Sequence, residues 1–301
     1  MKTSLILAST STPFLIKSTL AFKACNVVQI SSNQKHPLHS FPKLRFNIFR
    51  GDVSNQNNFD NNIDENSILS SSFNVIDNRS DDIVMATTIT WIEKTVIGLN
   101  LCPFAERPFK TKELSFHIAR GDDPPSIAEV VTEQLLLKRE QKGTSIIVCP
   151  DFHPDDFEEY MTMIQYLEQR IMTYFELHDH VQIAPFHPKF TFEESGNSIE
   201  SYANRSPYPM IHVLRADEVE RAVNKFLGGD PGKVWRRNKR LLEILESKLG
   251  RIHVVNFLFN RNEGKDDTMD NIIHEALEQT KDEMDMETED EKMKFRGSWV
   301  R

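Results

Sequence analysis

Val181-Gln182-Ile183-Ala184-Pro185-Phe186-His187-Pro188 and Asn204-Arg205-Ser206-Pro207-Tyr208-Pro209-Met210-Ile211-His212 are the two stretches of sequence that decide the fold. Each contains a short apolar run, over residues 181–186 and 210–214, and such runs predict buried strands. The two stretches place two histidines, an arginine, an asparagine, a serine and a tyrosine around a proline-pinned loop between the runs. Loops run over the surface and present binding groups there, so the sequence predicts a site on this loop.

Strands and helices alternate on both sides of these stretches. Apolar runs predict further strands over 114–119 and 145–149, and residues 251–259 could form another. Helical spacing predicts helices over 86–100, 126–142, 154–177, 216–227 and 234–249, the second capped by Ser126 with Glu129 completing a capping box. This alternation predicts an α/β (or α+β) fold: a single layered domain of about four to five strands, with helices packed on the sheet.

Four regions follow one another along the chain. Residues 1–50 are basic and free of acids, and their signal-like start with Ala21-Phe22 resembles the bipartite presequence of algal plastid proteins. We expect delivery to the plastid, with a mitochondrial or secretory leader as the alternative. Residues 51–82 form an acidic, Asn-rich linker, 83–260 the globular domain, and 261–301 an acidic, largely mobile tail with a short helix near 268–280.

Charge and cysteine content exclude several classes of protein. The net charge is −9, and because residues 1–50 carry +7, the remaining 251 residues carry −16. A body this acidic is unsuited to general nucleic-acid binding, which requires clustered lysine and arginine. We expect no membrane span, because no apolar run approaches the roughly 20 residues that cross a bilayer. Three cysteines in a chain of this length indicate a reducing compartment rather than a disulfide framework.

Three separated motifs resemble one protein family. They are residues 91–105 (Trp91 to Ala105), Phe186-His187-Pro188, and Asn204 to Pro209, and they occur in the order found in the family catalogued as domain of unknown function 1415. The resemblance covers residues of about 84–249 and ends in a helix that carries Arg237-Asn238. It implies a soluble, compact domain, and it implies no activity, cofactor or catalytic residue.

Seven side chains are the candidates for the site. His187, His212 and Cys102 could do catalytic work, and Arg205, Asn204, Ser206 and Tyr208 could bind substrate. A histidine titrates near neutral pH, and an arginine fork holds a carboxylate or phosphate with two hydrogen bonds. Four of the seven have a structural alternative: Cys102 as a buried cysteine, His187 as a turn-stabilising residue, His212 as a core histidine, and Arg205 as a tie to carbonyls of its own loop or to Glu193.

The leading hypothesis from the sequence is an enzyme acting on a small anionic substrate, with His187 as general acid or base. A non-catalytic binding or assembly module is the alternative, in which the Pro-rich loop and Phe186 form a contact surface. A weaker alternative is a zinc protein, because Cys102, His187 and His212 could fill three positions of a catalytic site. No close pair of ligands supports that alternative, so no metal is predicted, and the sequence identifies neither a cofactor nor an oligomeric state.

Overall fold

The computed structural model describes residues 80–192, 198–259 and 267–286. The predicted presequence, nearly all of the predicted linker and the end of the predicted tail lie outside these residues, as does Glu193. Within them, four strands form one mixed sheet in the order β1-β2-β4-β3. β1 is parallel to β2, and β4 is antiparallel to both β2 and β3. The strands are β1 (Leu114–Ile118), β2 (Thr144–Val148), β3 (Val181–Phe186) and β4 (Met210–Arg215).

Helices surround this sheet, and the α/β class predicted from the sequence is confirmed. Two of the helices widen into π-helical turns, α1 over Ile92–Ile97 and α4 over Leu167–Met172, and a 3-10 helix covers Ile199–Ala203. The α-helices are α1 (Asp81–Trp91), α2 (Glu106–Lys110), α3 (Pro124–Glu140), α4 (Phe157–Tyr166), α5 (Ala216–Leu227), α6 (Gly232–Leu249), α7 (Arg251–Phe259) and α8 (Asp267–Asp285).

The start of α3 differs from the prediction. The N-cap is Asp123, whose carboxylate accepts hydrogen bonds from the backbone N–H of Ser126 at 2.9 Å and from its hydroxyl at 2.6 Å. Pro124 and Pro125 then fill the first helical turn, where a missing N–H costs nothing. Ser126 is therefore a partner of the cap rather than the cap itself, because an aspartate before two prolines begins the helix earlier.

Residues 251–259 form a helix, α7, so the suggestion of a fifth strand is wrong. Their β-branched and aromatic composition favours a strand, but tertiary packing decides the outcome. Val254, Val255 and Leu258 lie on one face of α7 and are buried against Leu241 and Leu245 of α6. An intrinsic preference of a few tenths of a kcal/mol per residue is small beside the burial of three such side chains, at about 1.5–3 kcal/mol each.

The sheet has two covered faces, because side chains alternate along each strand. On the α3 face, Ile147, Ile183, Ile211 and Val213 pack with apolar residues of α3 and α4. On the other face, which we call the Trp91 face, Ile146, Val148 and Met210 pack with Val84, Trp91 and Ile92 of the first helix. His212 lies on the Trp91 face, since it is flanked on β4 by Met210 and Leu214.

A second apolar core joins the C-terminal helices to the domain. It contains Leu99 and Leu101 from the turn after α1, Tyr202 from the 3-10 helix, and side chains of α6, α7 and α8. α8, where a helix was predicted near 268–280, packs along α6 and is tied to it by ion pairs of Arg240 with Glu283 and of Lys248 with Glu275. The Thr95 hydroxyl donates to the carbonyl of Leu258 at 2.9 Å, which connects the π-helical turn of α1 to α7.

Candidate functional site

The proline-rich loop that was expected at the surface is inside the molecule. Every residue from Ile199 to Ile211 is buried. Burial of a loop requires that its backbone polar groups find partners. Here the Ser206 hydroxyl donates to the Tyr208 carbonyl at 2.6 Å, and the Pro209 carbonyl accepts from Cys149 N. Because Pro207 and Pro209 have no N–H, they remove two donors that the interior would otherwise have to pair.

His187 is fully buried, and both of its ring nitrogens are hydrogen-bonded. Nε2–H donates to the carbonyl of His153 at 2.9 Å, and Nδ1 accepts from the backbone N–H of Lys189 at 3.0 Å. The ring packs against Phe157 and Tyr160 of α4, with centroids 5.3 and 5.0 Å away. Burial lowers the pKa of His187 to about 4, so the ring is neutral at pH 7. In this position the ring joins β3 to the loop before α4 and offers no lone pair to a substrate.

Arg205 and Asn204 face the protein interior. Arg205 is 7% exposed; its Nε donates to the Phe190 carbonyl at 3.1 Å, and its guanidinium lies 3.9 Å above the ring of Tyr202. The Asn204 carbonyl accepts from His187 N at 3.3 Å, and its side-chain amide lies 3.5 Å from the Pro185 carbonyl. These contacts match the alternative in which the arginine ties its own loop together.

Tyr208 and Trp91 carry two buried hydrogen-bond donors in the same apolar cluster. Tyr208 is 1% exposed and Trp91 6% exposed, and both belong to the cluster on the Trp91 face. In the part of the chain that the structure describes, neither the Tyr208 hydroxyl nor the Trp91 Nε1–H has a hydrogen-bond partner. A buried polar group left in this state costs about 1–3 kcal/mol, so two in one cluster indicate a partner that the described protein groups do not supply.

His212 lies on the same face, and one of its two ring nitrogens is hydrogen-bonded within the protein. Thr144 has one hydroxyl proton, and it donates this proton to the Val213 carbonyl at 2.7 Å. In the contact with His212, the Thr144 hydroxyl oxygen must therefore be the acceptor and Nε2–H of His212 the donor. This arrangement fixes the tautomer and leaves Nδ1 with a lone pair, for which no described residue is a donor. Burial lowers the pKa of His212 to about 4, so the ring is neutral at pH 7.

His212 lies at a part of the Trp91 face that is not fully covered. Its cross-strand neighbours, Ile146 on β2 and Ala184 on β3, are both buried. Phe186 lies 6.5 Å from the His212 ring and 5.8 Å from Trp91, which it meets edge to face. Both Phe186 and His212 are only partly buried. Solvent therefore reaches part of Phe186 and His212, whereas the two donors are fully buried.

Cys102 lies in the turn that follows the π-helical segment, and it is partly buried. α6 holds this turn in place: Arg237 donates to the carbonyls of Asn100 and Leu99, and Asn238 donates to that of Leu101 at 2.7 Å. Both nitrogens of His187 and Nε2 of His212 are bonded elsewhere, and Nδ1 of His212 has no partner among the described residues. Cys102 is thus hydrogen-bonded to neither histidine, and the geometry does not support a Cys–His pair.

The described ranges contain no group of three or more His, Cys, Asp and Glu side chains that could hold a metal ion. The proposed trio of Cys102, His187 and His212 is not assembled there, since the His187 nitrogens are bonded to backbone groups. None of the helices in the described ranges combines the length and apolar character needed to cross a bilayer.

Two participants in this site were not recognised from the sequence. Thr144 begins β2, and its role depends on the pairing of β2 with β4, which sequence alone does not provide. Trp91 was noted only as part of the first family motif, and that motif was the one signal in the sequence that pointed to it. In the structure, a π-helical turn follows Trp91 directly. π-Helical turns are rare and are often found at functional sites.

Comparison with known proteins identifies the family. The family model described as "Protein of unknown function (DUF1415)" matches residues 83–251, more than half of the chain, and the chain belongs to this family. The resemblance seen in the three motifs is thereby confirmed. No curated protein and no solved structure matches the chain.

Proposed function

We propose that this member of the DUF1415 family binds a small molecule on the Trp91 face of its sheet. The observation that carries the proposal is the pair of buried donors, Trp91 Nε1–H and the Tyr208 hydroxyl, that no described residue satisfies. A ligand whose acceptor atoms reached these donors would recover the free energy lost by their burial. Binding pockets are typically apolar with a few placed polar groups, and the cluster around Trp91 has this composition.

His212 supplies the complementary group in this proposal. Its Nε2–H is held by Thr144, so the ring cannot switch tautomer without losing a hydrogen bond, and Nδ1 stays an acceptor. The partial exposure of His212 would give a ligand access to this nitrogen. A ligand that reached all three groups would meet two donors and one acceptor.

The proposed site differs from the one that the sequence suggested, although Tyr208 and His212 belong to both. His187 and Arg205 are engaged by the backbone of their own region, and the loop that carries Arg205 is buried. A role for the loop as an assembly surface is likewise unsupported, because its residues are covered within the chain itself. The proposal keeps the small-molecule hypothesis and assigns it to a partly different set of side chains.

Acid–base catalysis at the same site is the second candidate, favoured by the fixed tautomer of His212. In such a step a proton would pass from the substrate to Nδ1, and the electron pair left behind would move onto an oxygen held by Trp91 and Tyr208. Since the pKa of His212 is about 4, the resting imidazole is a weak base. The binding proposal is therefore better supported than the catalytic one. Incubation of an identified ligand with the protein, followed by NMR, decides whether the ligand is converted.

Two buried tyrosines offer a matched test of the binding proposal. The Tyr160 hydroxyl donates to the Met210 carbonyl at 2.7 Å, whereas the Tyr208 hydroxyl has no described partner. We expect Tyr160→Phe to lower the free energy of unfolding by about 1–2 kcal/mol, and Tyr208→Phe to leave it unchanged or raise it by up to about 1 kcal/mol. Urea denaturation of the full chain and of both variants measures the difference.

Ligand-induced thermal stabilisation completes the test. Compounds that raise the melting temperature of the full chain in a metabolite screen should lose this effect in Tyr208→Phe and Trp91→Phe and keep it in Tyr160→Phe. If Tyr208→Phe destabilises the protein as much as Tyr160→Phe, its hydroxyl has a structural partner and the proposal loses its main support. Stabilisation that survives in both site variants would place the ligand elsewhere.

A further inference from the structure

We infer that two copies of this chain pair through the outer edge of β1, so that their two sheets join into one continuous sheet. The pairing uses backbone groups of β1 and is independent of the proposed function. It places self-association on an open strand edge rather than on the buried Pro-rich loop.

The two edges of the sheet differ in how well they are protected. β3 forms one edge; its residues from Val181 to Ala184 are at most 5% exposed, and Pro185 has no N–H to offer to another strand. β1 forms the other edge, and all of its residues from Leu114 to Ile118 are only partly buried. β1 contains neither proline nor lysine, which are two of the means by which proteins block the edges of sheets.

Backbone groups along the outer side of β1 have no partner. Thr144 N–H donates to the Glu113 carbonyl at 3.0 Å, and from there every second residue of β1 bonds to β2. The intervening residues direct their N–H and C=O groups away from β2, and in the described ranges none of these groups is hydrogen-bonded: they belong to Leu114, Phe116 and Ile118. Such a row of donors and acceptors is a template for a further strand.

A second copy of β1 fits this template because an antiparallel pair about a twofold axis is self-complementary. With Phe116 opposite Phe116 of the second copy, every outward N–H and C=O of both strands is paired. Leu114 then lies opposite Ile118 of the second copy on the Trp91 face, and Ser115 lies opposite His117 on the α3 face. Apolar side chains meet apolar ones on one face, and polar side chains meet polar ones on the other.

The charges at the two ends of β1 are complementary as well. Lys112, just before the strand, is exposed, and Asp122, beyond its other end, is exposed too. Neither has an ion-pair partner in the part of the chain that the structure describes, whereas Arg120 is neutralised by Asp81 and Asp151. Antiparallel pairing brings Lys112 of each copy to the acidic end of the other, within reach of Asp122.

An exposed apolar side chain lies at the same end of β1. Ile83 is 45% exposed and follows Asp81 by two residues, and Asp81 is bonded to Arg120 just after the strand. A pair of five-residue strands buries less than the roughly 1,200–2,000 Å² of a stable interface, even with Ile83 added. We therefore expect a reversible dimer whose population rises with concentration, rather than a permanent one.

The molecular mass and the exchange of the edge amides test this dimer together. Size exclusion with light scattering gives the mass of the full chain over a range of concentrations. Hydrogen exchange followed by NMR gives the protection of the amides of Leu114, Phe116 and Ile118. We expect a monomer at low concentration and a dimer at high concentration, with at least tenfold greater protection of these three amides in the dimer.

A charge swap at Ser115 and His117 tests the register. One variant combines Ser115→Lys with His117→Lys, and the other combines Ser115→Glu with His117→Glu. Each variant alone places like charges opposite one another, so its dimer should be at least tenfold weaker than that of the parent chain. An equal mixture of the two variants should form a heterodimer, because opposite charges then face each other.

Phe116→Pro is a second test that does not depend on charge. The N–H that it removes points to the outer side of β1, where proline is tolerated within a sheet, so the variant should keep the fold and lose the dimer. Circular dichroism checks that each variant is folded. If the charge variants do not fold, Phe116→Pro decides.

Three results would overturn the inference. A full chain that stays monomeric at every concentration excludes the dimer. A dimer that survives in Phe116→Pro and in both charge variants has its interface elsewhere. Amides of β1 that are equally protected at every concentration would show that a segment of the same chain covers this edge.

Discussion

His187 and His212 lie in neighbouring parts of one sheet and differ in what their rings are bonded to. His187 follows β3, and both of its nitrogens are bonded to backbone groups of Lys189 and His153. His212 lies within β4, where Thr144 takes Nε2–H and leaves Nδ1 available. Burial lowers the pKa of each to about 4, so the shifted pKa does not separate them. The count of hydrogen bonds separates a structural histidine from a candidate ligand group.

The largest expected effect is the loss of stability in His187→Ala. The substitution removes two hydrogen bonds, leaves the Lys189 N–H without its partner, and opens a cavity beside Phe157 and Tyr160, while the His153 carbonyl keeps its bond from Asp156 N. We expect the free energy of unfolding to fall by about 3–5 kcal/mol, measured by urea denaturation. His212→Ala, which removes one committed bond on a partly open face, should cost less than half as much.

Equal losses in the two variants would show that the histidines play the same structural role, contrary to the comparison. If His187→Ala does not fold, His187→Gln provides the measurement, because its amide can replace one of the two bonds.

Acid should destabilise the protein through both histidines. In the unfolded chain a histidine binds a proton near pH 6.5, whereas in the folded protein each pKa is about 4, so the unfolded state holds more protons between these values. Stability is therefore fully present above pH 6.5 and is lost as the pH falls towards 4, by up to about 3 kcal/mol for each ring.

Urea denaturation at a series of pH values should show the decline begin near pH 6.5. His212→Gln removes one of the two titrating groups, so its stability should fall less steeply over the same range. A slope unchanged from that of the parent protein would mean that His212 titrates normally in the folded state.

The smallest effect is expected for Thr144→Val, which keeps the shape of the side chain and removes its hydroxyl. The folded protein loses the bond to the Val213 carbonyl and the acceptor for His212 Nε2–H, at a cost of about 1 kcal/mol. The sharper measurement is the ¹⁵N spectrum of the His212 ring, which should change from a single Nε2–H tautomer to a mixture. A tautomer that stays single in the variant would indicate that another group fixes it.

Much of the sheet could be predicted from the sequence, because a short apolar run between two turns is too short for most helices and fits a buried strand. The bounds of β3 agree with the prediction, those of β1 and β4 differ by one residue at one end, and those of β2 are shifted by one residue at both ends. α7 was missed because its composition favours a strand while its packing against α6 requires a helix. Periodicity reports which residues share a face, and it does not report what covers that face.

The candidate site was only half predictable. Tyr208 and His212 were recognised from their residue types, whereas Trp91 was noted only as part of a family motif and not as a site residue. The unpaired state of the Tyr208 hydroxyl and the fixed tautomer of His212 depend on the register of β2 against β4 and on the position of α1. A sequence shows which groups can form hydrogen bonds, but only the packed structure shows which of them have partners.

The contact between Thr95 and Leu258 has a consequence for how this chain can be divided. The family match ends at residue 251, yet a hydroxyl inside it is bonded to a carbonyl beyond it, and Leu241 and Leu245 are covered by α7 and α8. The end of the family match at residue 251 is therefore not the end of the packed domain. A chain cut at residue 251 would remove the Leu258 carbonyl that Thr95 is bonded to and would expose the apolar face of α6 to water. Such an exposed apolar face favours aggregation.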